Sequence, residues 1–283
     1  MFNNDIIINF TPTGMIPSKK DTPHVPVSAN EIIEQVHEAY EIGITLVHLH
    51  ARDEDGFPTY KNEFYLPIVE GIRKYCPKLV LCASLSGRNH HELEKRSEVL
   101  SLNPDLGSLT LSSLNFTNQA SINAPETING LIQIMNNYGV NPELECFDSG
   151  MINFAKYLIN KELIKPPFYF NLIFGNLAST QADAAYIGLA IRDLPPNSYW
   201  ALGGLGQYQL VMNTFGILLG GGIRIGLEDN IWFDKGRKVL ATNAMLLHRA
   251  HSLAKIFERE IMKPETFGML GFYNKLENKK NPI

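Results

Sequence analysis

The chain has 283 residues, 45% hydrophobic and 19% charged, with a formal net charge of −4. This composition suits a soluble globular protein with a sizeable core and argues against a basic nucleic-acid-binding domain or a polybasic membrane-surface module. No apolar run reaches the ~18 residues of a membrane span, MFNNDIIINF lacks a signal-peptide pattern, and Cys76, Cys82 and Cys146 form no CxxC pair, so a reducing cytoplasm is expected.

In chain order, short β-like runs alternate with helical patterns. DIIINFTPTG (5–14) reads as the first strand and precedes ANEIIEQVHEAYEIG. There Ile32, Ile33, Val36 and Tyr40 recur at helical spacing, with Asn30 placed as N-cap and Gly43 as stop. TLVHLHARD (45–53) precedes NEFYLPIVEGIRKY, LVLCASLSG (79–87) precedes HELEKRSEVLSL, and LGSLTLSS (106–113) precedes ETINGLIQIMNNYG. PELECFDSG (142–150), PFYFNLIFG (167–175) and SYWALGGLG (198–206) are each followed by a further helical stretch. GIRIGLEDN (222–230) leads into a long last helix over 236–261. This tally, with no linker or composition break, predicts a single-domain (β/α)8 barrel over 1–283 with a C-terminal helical extension, and a doubly wound open sheet is the alternative. Polar residues gather at the strands' C-terminal ends, where such barrels place active sites.

Side chains two apart on a strand share a face, so His48 and His50 point the same way. Two imidazoles so placed suit a metal such as zinc, and equally a pair of core histidines bonded to backbone. Arg224 and Glu228 also share a face, either as a structural ion pair or with Glu228 completing a two-histidine, one-carboxylate site with an open position. Asp229 points at that site or caps the next turn; Ser84 and Ser108 offer hydroxyls. His24, His37, His90, His91, His248 and His251 are given no role.

The segments NFTPTG, PVSANEI, LVHLHARDEDG, GSLTLSSLNF, PELECFDSGM, YWALGGLG and GGIRIGLEDNIW resemble, in order and spacing, the β-keto acid cleavage enzymes. The resemblance runs to about Arg249. It implies a (β/α)8 barrel, a homotetramer, one Zn2+ per subunit and a reaction of a β-keto acid with acetyl-CoA to give acetoacetate and a new acyl-CoA. By residue match it implies His48, His50 and Glu228 as zinc ligands, Arg224 and Asp229 as a proton-transfer dyad, Ser84 beside the substrate, and Ser108 and Glu145 in the substrate pocket. One position departs. The 3-keto-5-aminohexanoate-cleaving members carry a glutamate in T-G-x-E, where this chain has Thr13-Gly14-Met15-Ile16. An ammonium against Ile16 without a partner is unfavourable by roughly 2–5 kcal/mol. A neutral or apolar β-keto acid is therefore expected in place of the aminated one.

A metal-dependent hydrolase barrel would need further histidines at the middle strands, and 142–150 and 167–175 contain none. A metal-dependent aldolase or acyl-CoA lyase is chemically nearer and needs no acetyl-CoA acceptor. A barrel with a purely structural polar mouth would hold no metal.

Overall fold

The computed structural model describes residues 5–276. Among them, eight parallel strands close into a barrel: β1 (Ile8–Phe10), β2 (Leu46–Leu49), β3 (Val80–Ala83), β4 (Leu106–Thr110), β5 (Asn141–Cys146), β6 (Phe168–Phe174), β7 (Ser198–Gly204) and β8 (Gly222–Ile225). β8 returns to pair with β1, placing Arg224 beside Asn9. The open-sheet alternative is thereby excluded. Seven of the eight strands fall inside the segments expected from the sequence, β5 starts one residue ahead of its segment at Asn141, and the fold is a (β/α)8 barrel.

The connecting helices form where apolar residues recur every three to four positions. In α1 (Ala29–Ile42), Ile32, Val36 and Ala39 are buried on one stripe. Its N-cap is Ser28, not Asn30: the Ser28 hydroxyl accepts from the Glu31 N–H and Glu31 reaches back to the Ser28 N–H, a reciprocal pair that Asn30 cannot make. Helices α2 (Asn62–Tyr75), α4 (Pro125–Tyr138), α5 (Ser149–Asn160), α6 (Ala184–Asp193) and α7 (Gln209–Leu218) occupy the expected connections, while the third is a short α3 (Leu93–Ser97) continued by a tight turn over Glu98–Leu102. The last helix, α8 (Asn243–Ile256), starts later than the expected 236. Asp234 accepts the backbone N–H groups of Lys238 and Val239, a side-chain turn that competes with helix, and Thr242 caps the true start.

The strands split the interior by face. Val47 and Leu49 point outward into the main core beneath the helices, while Leu46 points inward. At the N-terminal end the barrel is plugged by Leu46, Val80, Leu106 and Tyr169, closed from below by Met262, Phe267 and Phe272 of the C-terminal extension. Phe267 and Phe272 stack at 4.2 Å, and Tyr169 meets Phe267 edge-on at 5.3 Å. At the opposite end the inward positions are polar and open onto a cavity of about 460 Å3. No described helix is long and apolar enough to cross a membrane.

Candidate active site

β2 carries His48 inward, and His50 follows on the same face just past the strand end. Both are buried, with their Nε2 atoms 3.2 Å apart. The loop after β8 brings Glu228 Oε1 to 3.2 Å from His50 Nε2. These three ligand atoms lie within 4.8 Å of one another and form a group able to hold a metal ion. The donors fit such an ion: two imidazole nitrogens face one another, and Glu228 Oε2 is buried without a hydrogen-bond partner among the described residues. Two nitrogens, one carboxylate and an open side make the donor set of a catalytic site rather than a closed structural one.

Glu143, on β5, fixes the His48 ring by bonding Nδ1 at 2.7 Å. Its carboxylate also accepts from Asn9 at 2.6 Å, Asn171 at 2.7 Å and the Cys82 thiol at 3.2 Å. A fully buried carboxylate is tolerable only when its lone pairs are filled in this way. It leaves His48 Nε2 as the atom facing the cavity, the arrangement by which outer partners orient a metal-ligating histidine. Burial works against the His48 imidazolium, but Glu143 and then Glu228 outweigh it and hold its pKa at about 8. Burial dominates at His50 and draws it to about 4, so this ring is neutral and available as a ligand at neutral pH.

Arg224, inward on β8, gathers the acids. Its Nε donates to Asp229 Oδ2 at 2.9 Å and its Nη2 to Glu228 Oε1 at 2.8 Å, with Glu145 3.7 Å from Nη1. Nη1 is buried without a hydrogen-bond partner among the described residues. Burial resists ionisation of Glu228, yet Arg224 and His50 hold its carboxyl well below the usual range. At Asp229 burial wins, aided by the adjacent Glu228, and the pKa is raised despite Arg224. Thr110 donates to Glu145 at 2.7 Å.

The structure thus gathers His48, His50, Ser84, Glu145, Arg224, Glu228, Asp229 and, at the rim, Ile16 around one cavity. Ser108 lies deeper, its hydroxyl accepting from the Leu85 N–H at 3.0 Å, and the β4 hydroxyl that reaches the cavity is Thr110. Alternation assigns Ser108 and Thr110 the same face but not their depth. Asp148 caps α5, and Asn171 braces Glu143. Two residues given no role from the sequence belong here. Glu143 was detectable as the same-face neighbour of Glu145 in PELEC; Arg88, in the aperiodic loop after β3, carried no such signal.

A closed (β/α)8 barrel with histidine and carboxylate donors and an Arg–Asp pair at its C-terminal mouth defines an enzyme scaffold. The chain belongs to the β-keto acid cleavage enzyme family, whose model matches residues 5–270. It is 32% identical to the 3-keto-5-aminohexanoate cleavage enzyme of Fusobacterium nucleatum, over 92% of this chain and 95% of that one. It is 33% identical to the 3-oxoadipate:acetyl-CoA acetyltransferase of Cupriavidus necator, over 90% of each chain. A solved ternary complex of ObcA with a C4-CoA adduct and oxalate shares the fold, with a TM-score of 0.76 and 20% identity over 88% of this chain and 68% of that one. By family, then, this protein is an enzyme that cleaves β-keto acids.

Proposed function

We propose that the protein is an acyltransferase that reacts a β-keto acid with acetyl-CoA, yielding acetoacetate and the acyl-CoA of the remaining chain. The observation that carries this reading is the Arg224–Asp229 ion pair set beside the three metal-type donors in one cavity. His48, His50 and Glu228 would hold a divalent ion, for which Zn2+ suits the donors, and when bound it supplies Lewis-acid polarisation of the keto oxygen.

The chain's own residues account for the proton and the charges. Asp229, oriented by Arg224 and raised in pKa by burial, takes a proton from C2 of the β-keto acid. The C2 carbanion attacks the acetyl carbonyl of acetyl-CoA and CoA leaves as thiolate. That thiolate attacks the original C3 carbonyl; the C2–C3 bond breaks, giving the new acyl-CoA and the acetoacetate carbanion. Asp229 returns its proton to that carbanion, so the cycle is proton-neutral. Arg224 Nη1 offers its unused N–H to oxygen charge developing in these steps. Ser84 lies along the same wall, within the cavity that receives the substrate. Glu145 accepts from Thr110 and lies 3.7 Å from Arg224 Nη1, whose positive charge disfavours a substrate ammonium beside it, in line with the expectation from Ile16 that the substrate lacks one.

The free, buried Cys76, Cys82 and Cys146 support a reducing cytoplasmic location, and the family resemblance supports a homotetramer. The deciding experiment is an acetoacetate assay across β-keto acids, with and without acetyl-CoA. Product formed only with acetyl-CoA is expected; equal cleavage without it would replace acyl transfer by an aldolase or lyase reaction.

A further inference from the structure

Two arginines that line the cavity, Arg88 and Arg237, have no side-chain hydrogen bond among the described residues; Arg237 is exposed at the border, and Arg88 is the half-buried one. Arg52 donates to the carbonyls of Gly14, Pro17 and Gly56, Arg96 to Leu85, Ile122 and Asn123, and Arg224 to its acids. The Arg88 guanidinium lines the same cavity, and among the described residues it forms no hydrogen bond or ion pair. Its Cζ lies 3.5 Å from the centroid of the Phe116 ring. Phe116 is held edge-on by Phe147 at 5.6 Å, and the Gly87 carbonyl beside Arg88 accepts from the Ile122 N–H at 3.1 Å. The cation is therefore fixed in position, one face on an aromatic ring and its N–H fork open.

Stacking orients a guanidinium without using its N–H groups, which leaves a preformed fork for a carboxylate. The acids that could have filled it, Glu145, Glu228 and Asp229, are drawn to Arg224 instead. A β-keto acid already has a receiver for the charge next to its keto group: the buried, unpartnered Arg224 Nη1 beside the metal-type donors. A second, separate receiver implies a second negative group. CoA phosphates are a poor match, because the pantetheine arm carries them away from a thioester that must reach Asp229. The exposed Lys235, Arg237 and Lys238 stand outside, and Arg237 borders the cavity.

We propose that Arg88 is a specificity-determining residue that binds a carboxylate at the far end of the substrate, so that the preferred substrate is a β-keto dicarboxylate. This rests on the acyl-transfer reading for its chemistry, but not for its binding. It departs from the neutral or apolar substrate expected from Ile16 and keeps only the exclusion of an ammonium.

The test compares 3-oxoadipate with 3-oxohexanoate, which differ in a terminal carboxylate against a methyl. Calorimetric binding to the metal-loaded protein without acetyl-CoA is expected to favour 3-oxoadipate by about tenfold or more. In Arg88→Gln that preference collapses toward parity, and Arg88→Lys, keeping charge but not the fork, retains part of it. Equal affinities in the unmodified protein overturn the proposal even if neither variant folds. So does a preference that survives Arg88→Gln, a variant that weakens both ligands alike, or an effect confined to KM for acetyl-CoA. Acetoacetate formation, measured on the same preparations after adding acetyl-CoA, separates failure of the acyl-transfer reading from failure of this one.

Discussion

The two ends of the barrel are made by the same eight strands and could hardly differ more. At the N-terminal end the inward side chains are Leu46, Val80, Leu106 and Tyr169; two residues further along the same strands they are His48, Cys82, Ser108 and Asn171. Polarity rises along the strand rather than across the sheet. The apolar end supplies burial and needs no partners. Each acid of the polar end has a named partner, with Glu143 accepting from four residues and Arg224 placed among Glu145, Glu228 and Asp229, while Glu228 Oε2 has no partner among the described residues. One end can therefore be expected to carry stability and the other chemistry.

Four experiments press on that division. The largest effect is expected from His50→Ala, chosen over His48 because removing His48 would strand Glu143. Turnover should fall by about a thousandfold, with metal content by elemental analysis falling in parallel and folding preserved. Retained turnover would separate the reaction from the metal group. Next, Phe267→Ala at the opposite end should cost about 3–5 kcal/mol in urea unfolding while kcat per folded molecule is kept. A loss of kcat at unchanged stability would break the comparison. Glu143→Gln keeps shape but removes the charge behind His48, and should weaken metal affinity by about 10–100-fold in chelator competition. The smallest effect lies outside both ends. Burial opposes ionisation of Glu31, but Lys19 and the Ser28 and Val27 N–H groups outweigh it and draw the pKa from 4.5 to about 2. Because the folded pKa is depressed, this contribution is complete above 4.5 and is lost as pH falls toward 2. Glu31→Gln should thus lower stability by less than about 1 kcal/mol at neutral pH, since the group is mostly solvated. The gap should close in thermal melts taken through the acid range.

The barrel and its ligand group are legible in the sequence because both follow from alternation. HLH puts two imidazoles on one face, and a carboxylate past the last strand returns to them once β8 pairs with β1. Ser108 shows the limit: period two gives the face of a residue and not its height, so the deeper hydroxyl is indistinguishable from Thr110. Glu143 is visible as an inward acid, but its partners Asn9, His48, Cys82 and Asn171 come from four other strands, contacts that no local pattern encodes. Arg88 sits in a loop without period, and its meaning depends on Phe116 from a hairpin beyond the next strand. The false start of the last helix has a local cause: 234–240 reads helically until Asp234 takes the backbone for itself.

Gly14 has a bearing on how this site can change. It has φ +64°, and a Cβ there would lie 2.4 Å from Glu228 Cγ, so the loop after β1 rests directly on the carboxylate that faces His50. Two residues along, Ile16 is 61% exposed at the rim. The same short loop joins a position closed to a single methyl group to one that accepts almost any side chain. Selection for a new substrate can act on the second without disturbing the first, so the choice of cargo can drift while the reaction stays put.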